Sequence, residues 1–444
     1  MSQTSESIEQ IRRQFDFGPY PKIPLEKTPK NDKTFNNLFL HHLATPYYLK
    51  HQKVISPENK VILDAGCGSG YKALSLAEAN PNAKIVGIDL SPKSVDLAKK
   101  RLEYHGFPNA EFYTLAIEEV GSLGLQFDYI NCDEVLYLTD DPVVALKAMK
   151  ATLTSEGIIR TNLHSLYNRG PIYRMQELFR RMGLTDDNPE DMEIEAVVET
   201  MRALKKNVQA KAASWDPKLY EGENQKGTVL SNYLLLRDKG YTIPQVFDFL
   251  RQSDLEFISM VDWRQWELLD LFQKPDDLPW FLEMGISNLS VEERLHFFEL
   301  LHPTHRLFDF WCTNSNLETA EKPVNAWEKE DWEKATVYLH PLLVKETVKT
   351  KLLESVSEQK PFEISQFITL PTAKPITIES NVAACLLPLF SSSLSFVELV
   401  NYWLKVQPVN PATLEPKTWE NAFSQMQKHA EKLEAFTYLL LEIK

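Results

Sequence analysis

The sequence predicts an α/β fold: an open, mostly parallel seven-stranded sheet with helices on both faces, helical insertions, and a smaller, mainly helical C-terminal domain. Three observations predict it. From residue 36 to about 165, short Val/Ile-rich runs alternate with amphipathic stretches, and strands alternating with helices imply parallel strands joined by helical crossovers. The alternation then gives way to long charged helical stretches and resumes with two more strand-like runs before residue 315. With 444 residues, the chain exceeds one ordinary domain, and beyond residue 320 the alternation is gone.

Taken in order, residues 1–35 are rich in Pro, Lys and polar residues and read as an N-terminal arm. Its segment FDFGPYPKIPL carries three prolines and three aromatics, which predicts an extended strap pinned by its rings rather than a helix. Tyr20 in it is placed to close over a ligand. Arg12, Arg13, Lys22, Lys27, Lys30 and Lys33 make the arm locally basic, suiting either an acidic partner or plain solvation. NLFLHHLATPYYLK reads as helical, with His41 and His42 as ordinary helix residues, and leads into the strand VILDAG. YKALSLAEAN is a helix and KIVGID a strand. SPKSVDLAKKRLEYHG is a helix with Ser91 as N-cap, Pro92 in the first turn and Gly106 past its end. AEFYTLA and FDYINC are strands, PVVALKAMKATL a helix, and GIIRTNL a fifth strand. PIYRMQELFRRMG and EDMEIEAVVETMRALKK fall in a helical insertion, residues 166–240, suited to a lid or to substrate recognition. IPQVFDFLRQ (helix), LEFISMVD (strand) and RLFDFWC (strand) complete the sheet domain, 36–165 and 241–315, around a second helical insertion at 264–303. Residues 320–444 form the C-terminal domain, mainly helical with short extended pieces.

Composition removes several function classes. The chain has 43% hydrophobic and 25% charged residues, and no apolar run reaches the roughly 20 residues that span a bilayer, so no membrane role is expected. The polar N-terminus lacks an apolar signal core, which reads as cytoplasmic. The net charge of −14 argues against a nucleic-acid partner. Cys67, Cys132, Cys312 and Cys385 form no CxxC pair, so neither a zinc site nor a disulfide framework is expected. The acid-rich stretch 186–199 lacks a D-x-D-x-D-G order and reads as a solvated helix face.

The chemistry concentrates in VILDAGCGSG, residues 61–70, where Gly66, Gly68 and Gly70 open a helix directly after a strand. Glycine permits the tight turn and the close approach of backbone to a ligand. A dinucleotide fingerprint needs a further glycine at the position that Tyr71 occupies, and a P-loop needs G-K-[ST], which does not follow. Asp64 would repel a pyrophosphate and attract a cation. Asp133, Glu134, Tyr137, Asn162 and His164 lie at or just beyond the ends of the fourth and fifth strands, where ligands bind in open α/β sheets. Of these, Asp133, Glu134, Tyr137 and His164 are the candidate catalytic residues, His164 as a general base. Trp263 and Trp266 are read as packing residues in preference to a cation cage.

Asp64-x-Gly66-x-Gly68-x-Gly70, followed by Asp89 at the end of the second strand and by FDYINCDEVLY after the fourth, resembles the motifs of the class I, Rossmann-like S-adenosylmethionine-dependent methyltransferases. The resemblance implies S-adenosylmethionine as cofactor and no metal. It implies cofactor contacts from Asp64, Gly66, Cys67, Gly68, Gly70, Asp89, Leu90, Ala116, Ile117 and Asp133, with Asp89 on the ribose hydroxyls. Leu115-Ala116-Ile117 stands where the family often carries an acid for the adenine amine, so adenine recognition is expected from backbone and apolar contact.

The motif after the fourth strand, NCDEVLY, is not the Asn/Asp-Pro-Pro-Tyr/Phe signature of amide and base-amine methylation. The overall layout resembles bacterial protein-lysine methyltransferases with a C-terminal regulatory domain, which implies winged-helix-like character for residues 320–444, and a cyanobacterial family in which phycobiliprotein asparagine methylation occurs. These likenesses imply in-line methyl transfer to a nitrogen of a protein side chain, Asn or Lys. A small-molecule acceptor and a non-catalytic cofactor-binding module are the alternatives.

Overall fold

The computed structural model describes residues 3–17, 21–31, 35–222, 224–315, 322–372, 374–410 and 412–443, with side chains from residue 9 onward. Tyr20 and Lys33 lie outside them. The main sheet has strands β1 (Val61–Ala65), β2 (Lys84–Asp89), β3 (Glu111–Thr114), β4 (Phe127–Cys132), β5 (Leu153–His164), β6 (Leu255–Met260) and β7 (Leu307–Asn314). Their order is β3-β2-β1-β4-β5-β7-β6. β1 to β5 run parallel and β7 is antiparallel to both of its neighbours. The sheet is thus the mostly parallel, seven-stranded Rossmann-like architecture predicted. Its strand order reverses between β1 and β4, and the crevice at such a switch point is where α/β folds take ligands.

Local chemistry explains the elements that frame this crevice. Gly70 caps the helix Tyr71–Ala79 at φ +81°, and a Cβ there would lie 2.5 Å from the Ala98 Cα. Only glycine lets that helix start flush against the helix Pro92–Tyr104. Ser91 caps the latter by accepting the Ser94 N–H, with Pro92 at its first position.

Three elements differ from the sequence reading. The arm is not wholly extended: Gln3–Phe17 is a helix. Tertiary contacts explain it, since Ile11 and Gln14 are buried, the Gln14 amide bridges Leu234 O and Leu236 N, and Ser91 Oγ donates to Asp16. Three of the arm's basic residues, Arg12, Arg13 and Lys30, pair with carboxylates of the chain itself. Arg12 pairs with Glu9 and Asp16, both at 2.6 Å, and Lys30 pairs with Glu78. Second, NLFLHHLATPYYLK breaks into Asn36–Leu40 and Ala44–His51. Third, the C-terminal region holds a three-stranded antiparallel sheet. Ala335–Leu339 is its centre, flanked by Leu394–Ser395 and Leu439–Ile443. The final LLLEI looks continuous with the preceding helix, but that helix ends at Glu434, and Leu439, Leu440 and Leu441 bury themselves by pairing as a strand.

The C-terminal core extends into the N-terminal part of the chain. Leu38 and Phe39 belong to the same apolar cluster as Trp332, Leu343, Phe396 and Leu441. Asn36 Oδ1 accepts the N–H groups of Thr369 and Leu370, Phe35 N donates to Phe367 O, and Thr45 Oγ1 lies 3.0 Å from His340 Nε2. Among the described residues no helix is long and apolar enough to cross a membrane.

Candidate active site

A cavity of about 1380 Å³ opens over the carboxyl ends of β1, β2 and β4. Its floor is the glycine turn. Gly66 and Gly68 adopt φ +82° and +48°, and Gly66 N and Cys67 N both donate to Ile88 O on β2. A Cβ on Gly66 would stand 2.3 Å from Val135, so the turn after β1 fits under the turn after β4 only as glycine. Asp89 is held by two backbone donors, Gly68 N to Oδ2 at 2.9 Å and Ser91 N to Oδ1 at 2.8 Å. Burial raises its pKa, and these N–H groups oppose the rise. Each oxygen keeps a lone pair for a further donor. Leu90, Leu115, Ala116 and Ile117 form the apolar wall beyond it.

The N-terminal segment roofs the cavity. Ile11, Arg12 and Phe15 of the first helix line it, as do Pro21 and Ile23. Arg101, fully buried, fastens this strap by donating to Ser69 O, Pro24 O and Ile23 O, and Ser69 Oγ donates to Pro21 O.

Behind the floor runs a buried row of polar side chains that the sequence reading missed. Asp64, Asn131 and Arg160 sit opposite one another on β1, β4 and β5. Asn131 Nδ2 donates to Asp64 Oδ1 at 2.8 Å, Arg160 donates to Asn131 Oδ1 at 3.0 Å, and its guanidinium grips Asp309 on β7 at 2.6 and 3.0 Å. Asp64 Oδ2 is buried with no partner, and burial raises its carboxyl to about 7. A carboxylate left half-satisfied beneath the glycine turn fits a cationic guest above it. The retrospective signal was Arg160 inside the apolar run GIIRTNL, since a buried charge demands partners.

Asp133 follows β4 and lies on the cavity wall. Lys72 Nζ is 2.6 Å from its Oδ2 and Arg160 3.7 Å from its Oδ1, while Asn162 Nδ2 donates to Oδ1 at 2.6 Å. Burial opposes its charge, but Lys72 and Arg160 outweigh burial and hold the carboxyl well below the usual carboxylate range. Such a carboxylate is a weak base. Its geometry makes it an anchor for Lys72, which also lines the cavity.

Glu134, next in sequence, lines the cavity at φ +59°. Its N–H donates to Asn162 Oδ1 at 2.8 Å, and Arg306 donates to its Oε1 at 2.6 Å.

Tyr137 and His164 do not line the cavity; both are buried behind it and stack with ring centroids 3.8 Å apart. His164 has no nitrogen to spare. Arg306 donates to Nε2 at 3.0 Å, so Nδ1 carries the proton and donates to Asp238 at 2.7 Å. Burial lowers its pKa. The expected general-base role is thus corrected: His164 is a neutral, doubly bonded core residue, and Tyr137 is its packing partner. Asp64 and Gly70 also lie off the cavity surface, beneath and beside the turn. Gly66, Cys67, Gly68, Asp89, Leu90, Ala116, Ile117, Asp133 and Glu134 meet on it. Trp266 stacks on His305 at 4.1 Å inside the packing of the second insertion.

Comparison with known proteins agrees with this geometry. Residues 56–229 match the family described as "Methyltransferase domain". The chain is 26% identical over 325 residues to an uncharacterised protein of Synechococcus sp., covering 71% of this chain and 73% of that one. It is 32% identical over 171 residues to an uncharacterised protein of Rickettsia prowazekii, covering 38% of this chain but only 29% of that longer protein. Among solved structures, PKMT2 from Rickettsia typhi in complex with AdoHcy superposes with a TM-score of 0.57 at 17% identity, over 91% of this chain and 76% of that one. The switch-point crevice, its glycine floor and the family match agree: the chain carries a class I S-adenosylmethionine-dependent methyltransferase domain.

Proposed function

We propose that the enzyme transfers the methyl group of S-adenosylmethionine to a nitrogen of a protein side chain, Lys or Asn, by in-line displacement. The observation that carries this reading is the size and charge of the cavity. Its 1380 Å³ exceeds the roughly 300–1,000 Å³ of ordinary small-molecule sites, leaving room for an acceptor side chain beside the cofactor. Its lining holds eight acidic residues against four basic ones, which favours a cationic cofactor and an amine. The likeness to PKMT2 supports a protein acceptor, because it runs over 91% of the chain and so takes in the insertions and the C-terminal region.

In this reading Asp89 accepts from the ribose hydroxyls, Leu90, Ala116 and Ile117 sandwich the adenine, and the backbone of Gly66, Cys67 and Gly68 admits the amino-acid end. Asp64 supplies negative potential from beneath, Gly70 sets the helix that follows, and Asp133 on the wall anchors Lys72, which is placed to pair with the cofactor's carboxylate. S-adenosylmethionine, when bound, supplies a methyl group already activated by a sulfonium. The protein therefore works chiefly by orientation, worth roughly 7–11 kcal/mol of barrier. The N-terminal helix and strap exclude water from above. A protonated amine must lose a proton before it attacks, and Glu134 is the carboxylate on the cavity wall placed to take it.

The test is to incubate the enzyme with methyl-labelled S-adenosylmethionine and a lysate, with purified phycobiliprotein as a separate arm. Label recovered in protein supports the reading. Label found only in small solutes replaces it with a small-molecule acceptor, and no label despite measurable cofactor binding points to a non-catalytic module.

A further inference from the structure

The chain of contacts behind Glu134 extends far from the cavity. Glu134 accepts from Arg306 Nη2, while Arg306 Nη1 donates to His164 Nε2. His164 Nδ1 donates to Asp238 Oδ1. The other Asp238 oxygen accepts from Arg169 at 2.7 Å and from Gln176 at 3.0 Å. The Asp238 side chain is 0% exposed and that of His164 1%, whereas Glu134 keeps 29% at the cavity wall. Arg169, Gln176 and Asp238 belong to the first helical insertion, and Arg306 enters β7 at the end of the second. One guanidinium thus ties both insertions to a single cavity-lining carboxylate.

Two features show that this carboxylate is held rather than left free. Glu134 occupies the left-handed region, costly for a residue with a Cβ, and such strain persists only where surroundings over-determine it. Here the Asn162 amide fixes the backbone and Arg306 fixes the side chain. The direction of the hydrogen bonds is also set throughout. Arg306 can only donate, so His164 must accept at Nε2 and donate from Nδ1, and Asp238 must accept. A Lys at 306 would keep the charge but lose the planar fork that reaches both partners at once.

We propose that Arg306, His164 and Asp238 are positioning residues that aim the Glu134 carboxylate at the methyl-transfer position, making Glu134 the group that selects a positively charged or N–H-bearing acceptor nitrogen. This rests on the cavity being the methyl-transfer site proposed above. It ties acceptor choice to the seating of the helical insertion, because the insertion's Asp238 sets the orientation of His164.

The test needs no acceptor. Sinefungin carries an amine where S-adenosylmethionine carries its sulfonium methyl group, and S-adenosylhomocysteine carries nothing there. The ratio of their affinities by calorimetry therefore reads the potential at that position. The wild-type protein should favour sinefungin by about tenfold or more, the scale of one charge-assisted hydrogen bond. Glu134→Gln should bring the ratio near one, with S-adenosylhomocysteine affinity preserved as evidence of folding. Arg306→Gln and Arg306→Lys should both lower it, and Arg306→Gln should add nothing in the Glu134→Gln background. Asp238→Asn should act like Arg306→Gln; because Asp238 is buried against Arg169, the half-exposed Arg306 variants decide the matter if that protein fails to fold. A ratio that rises in Arg306→Gln would show mere charge neutralisation and overturn the proposal. So would full retention in Arg306→Lys, or an unchanged ratio in Glu134→Gln. Failure of the lysate experiment with these shifts intact would discard the protein acceptor and keep the positioning network.

Discussion

The two halves of the cavity are built by different means. On the β1–β2 side the contacts that fix Asp89 are short in sequence and come from backbone donors: Gly68 N to Asp89 spans 21 positions and Ser91 N to Asp89 only two. On the β4–β5 side the contacts are long and made by side chains. Glu134 and Arg306 are 172 positions apart, and His164 and Asp238 74. A cofactor common to many enzymes can be held by one compact motif. The Glu134 side is instead assembled from partners that the insertions and β7 bring to it. The two halves meet in the buried row Asp64–Asn131–Arg160–Asp309, which crosses β1, β4, β5 and β7.

The largest expected effect comes from cutting that row. Arg160→Leu leaves Asp309 without its buried cation and Asp133 with Lys72 alone, which should cost about 3–5 kcal/mol of stability in denaturant unfolding. A loss below about 1 kcal/mol would mean the row is better solvated than its burial implies. Next, Gly68→Asp should abolish the cofactor half alone. It places a Cβ in a left-handed backbone position and a second carboxylate beside Asp89 Oδ2. Affinity for S-adenosylmethionine should fall by at least about 100-fold while circular dichroism stays native. Unchanged affinity would overturn the assignment of the cofactor loop.

Asn162→Ala should do the converse. It frees the Glu134 N–H and one Asp133 oxygen, so labelled-methyl turnover should drop by about tenfold while S-adenosylhomocysteine affinity stays within about twofold. Equal losses in both would mean that the two halves are one unit.

The smallest effect is a proton. Burial raises Asp64 from the ordinary 3.8 to about 7, so the folded, cofactor-free protein holds this proton more tightly than the unfolded chain does. Ionising it costs stability progressively as pH rises from about 4 to about 7, and the full cost is present above that window. A bound cation favours the carboxylate, so cofactor binding near pH 7 should release a fraction of a proton. Calorimetric enthalpies should then depend on the ionisation enthalpy of the buffer. The dependence should vanish in Asp64→Asn, and its absence in the wild type would separate Asp64 from the cofactor electrostatically.

How much could be read without coordinates follows the same division. The sheet was legible because strand and helix periodicity are local, and the glycine turn because three glycines lie within five residues directly after a strand; that Val135 and Ala98 press on two of them only the structure shows. Asp89 was legible from its place at a strand end. Asp133 and Glu134 were legible as positions but not as roles. Only the structure shows Asp133 neutralised by Lys72 and Arg160, and Glu134 tied to Arg306. His164 misled because a histidine at a strand end looks like a base until both of its nitrogens are counted. The helix Gln3–Phe17 was missed although Ile8, Ile11 and Phe15 recur at helical spacing, because the prolines that follow pointed to an extended arm; burial of Ile11 and Gln14 and the Ser91–Asp16 contact hold it in place. The strand Leu439–Ile443 was missed because its pairing partner lies a hundred residues upstream.

The sequence by itself determined the sheet, the switch-point turn and the chemical character of the guest, since propensity, glycine placement and the sign of a nearby charge act over a few residues. Tertiary structure alone decided which polar groups are buried together, which carboxylate is neutralised and which faces the cavity. Those outcomes depend on desolvation and on partners distant in sequence, and a charge becomes spent or available only when the folded chain brings its counter-charge within reach.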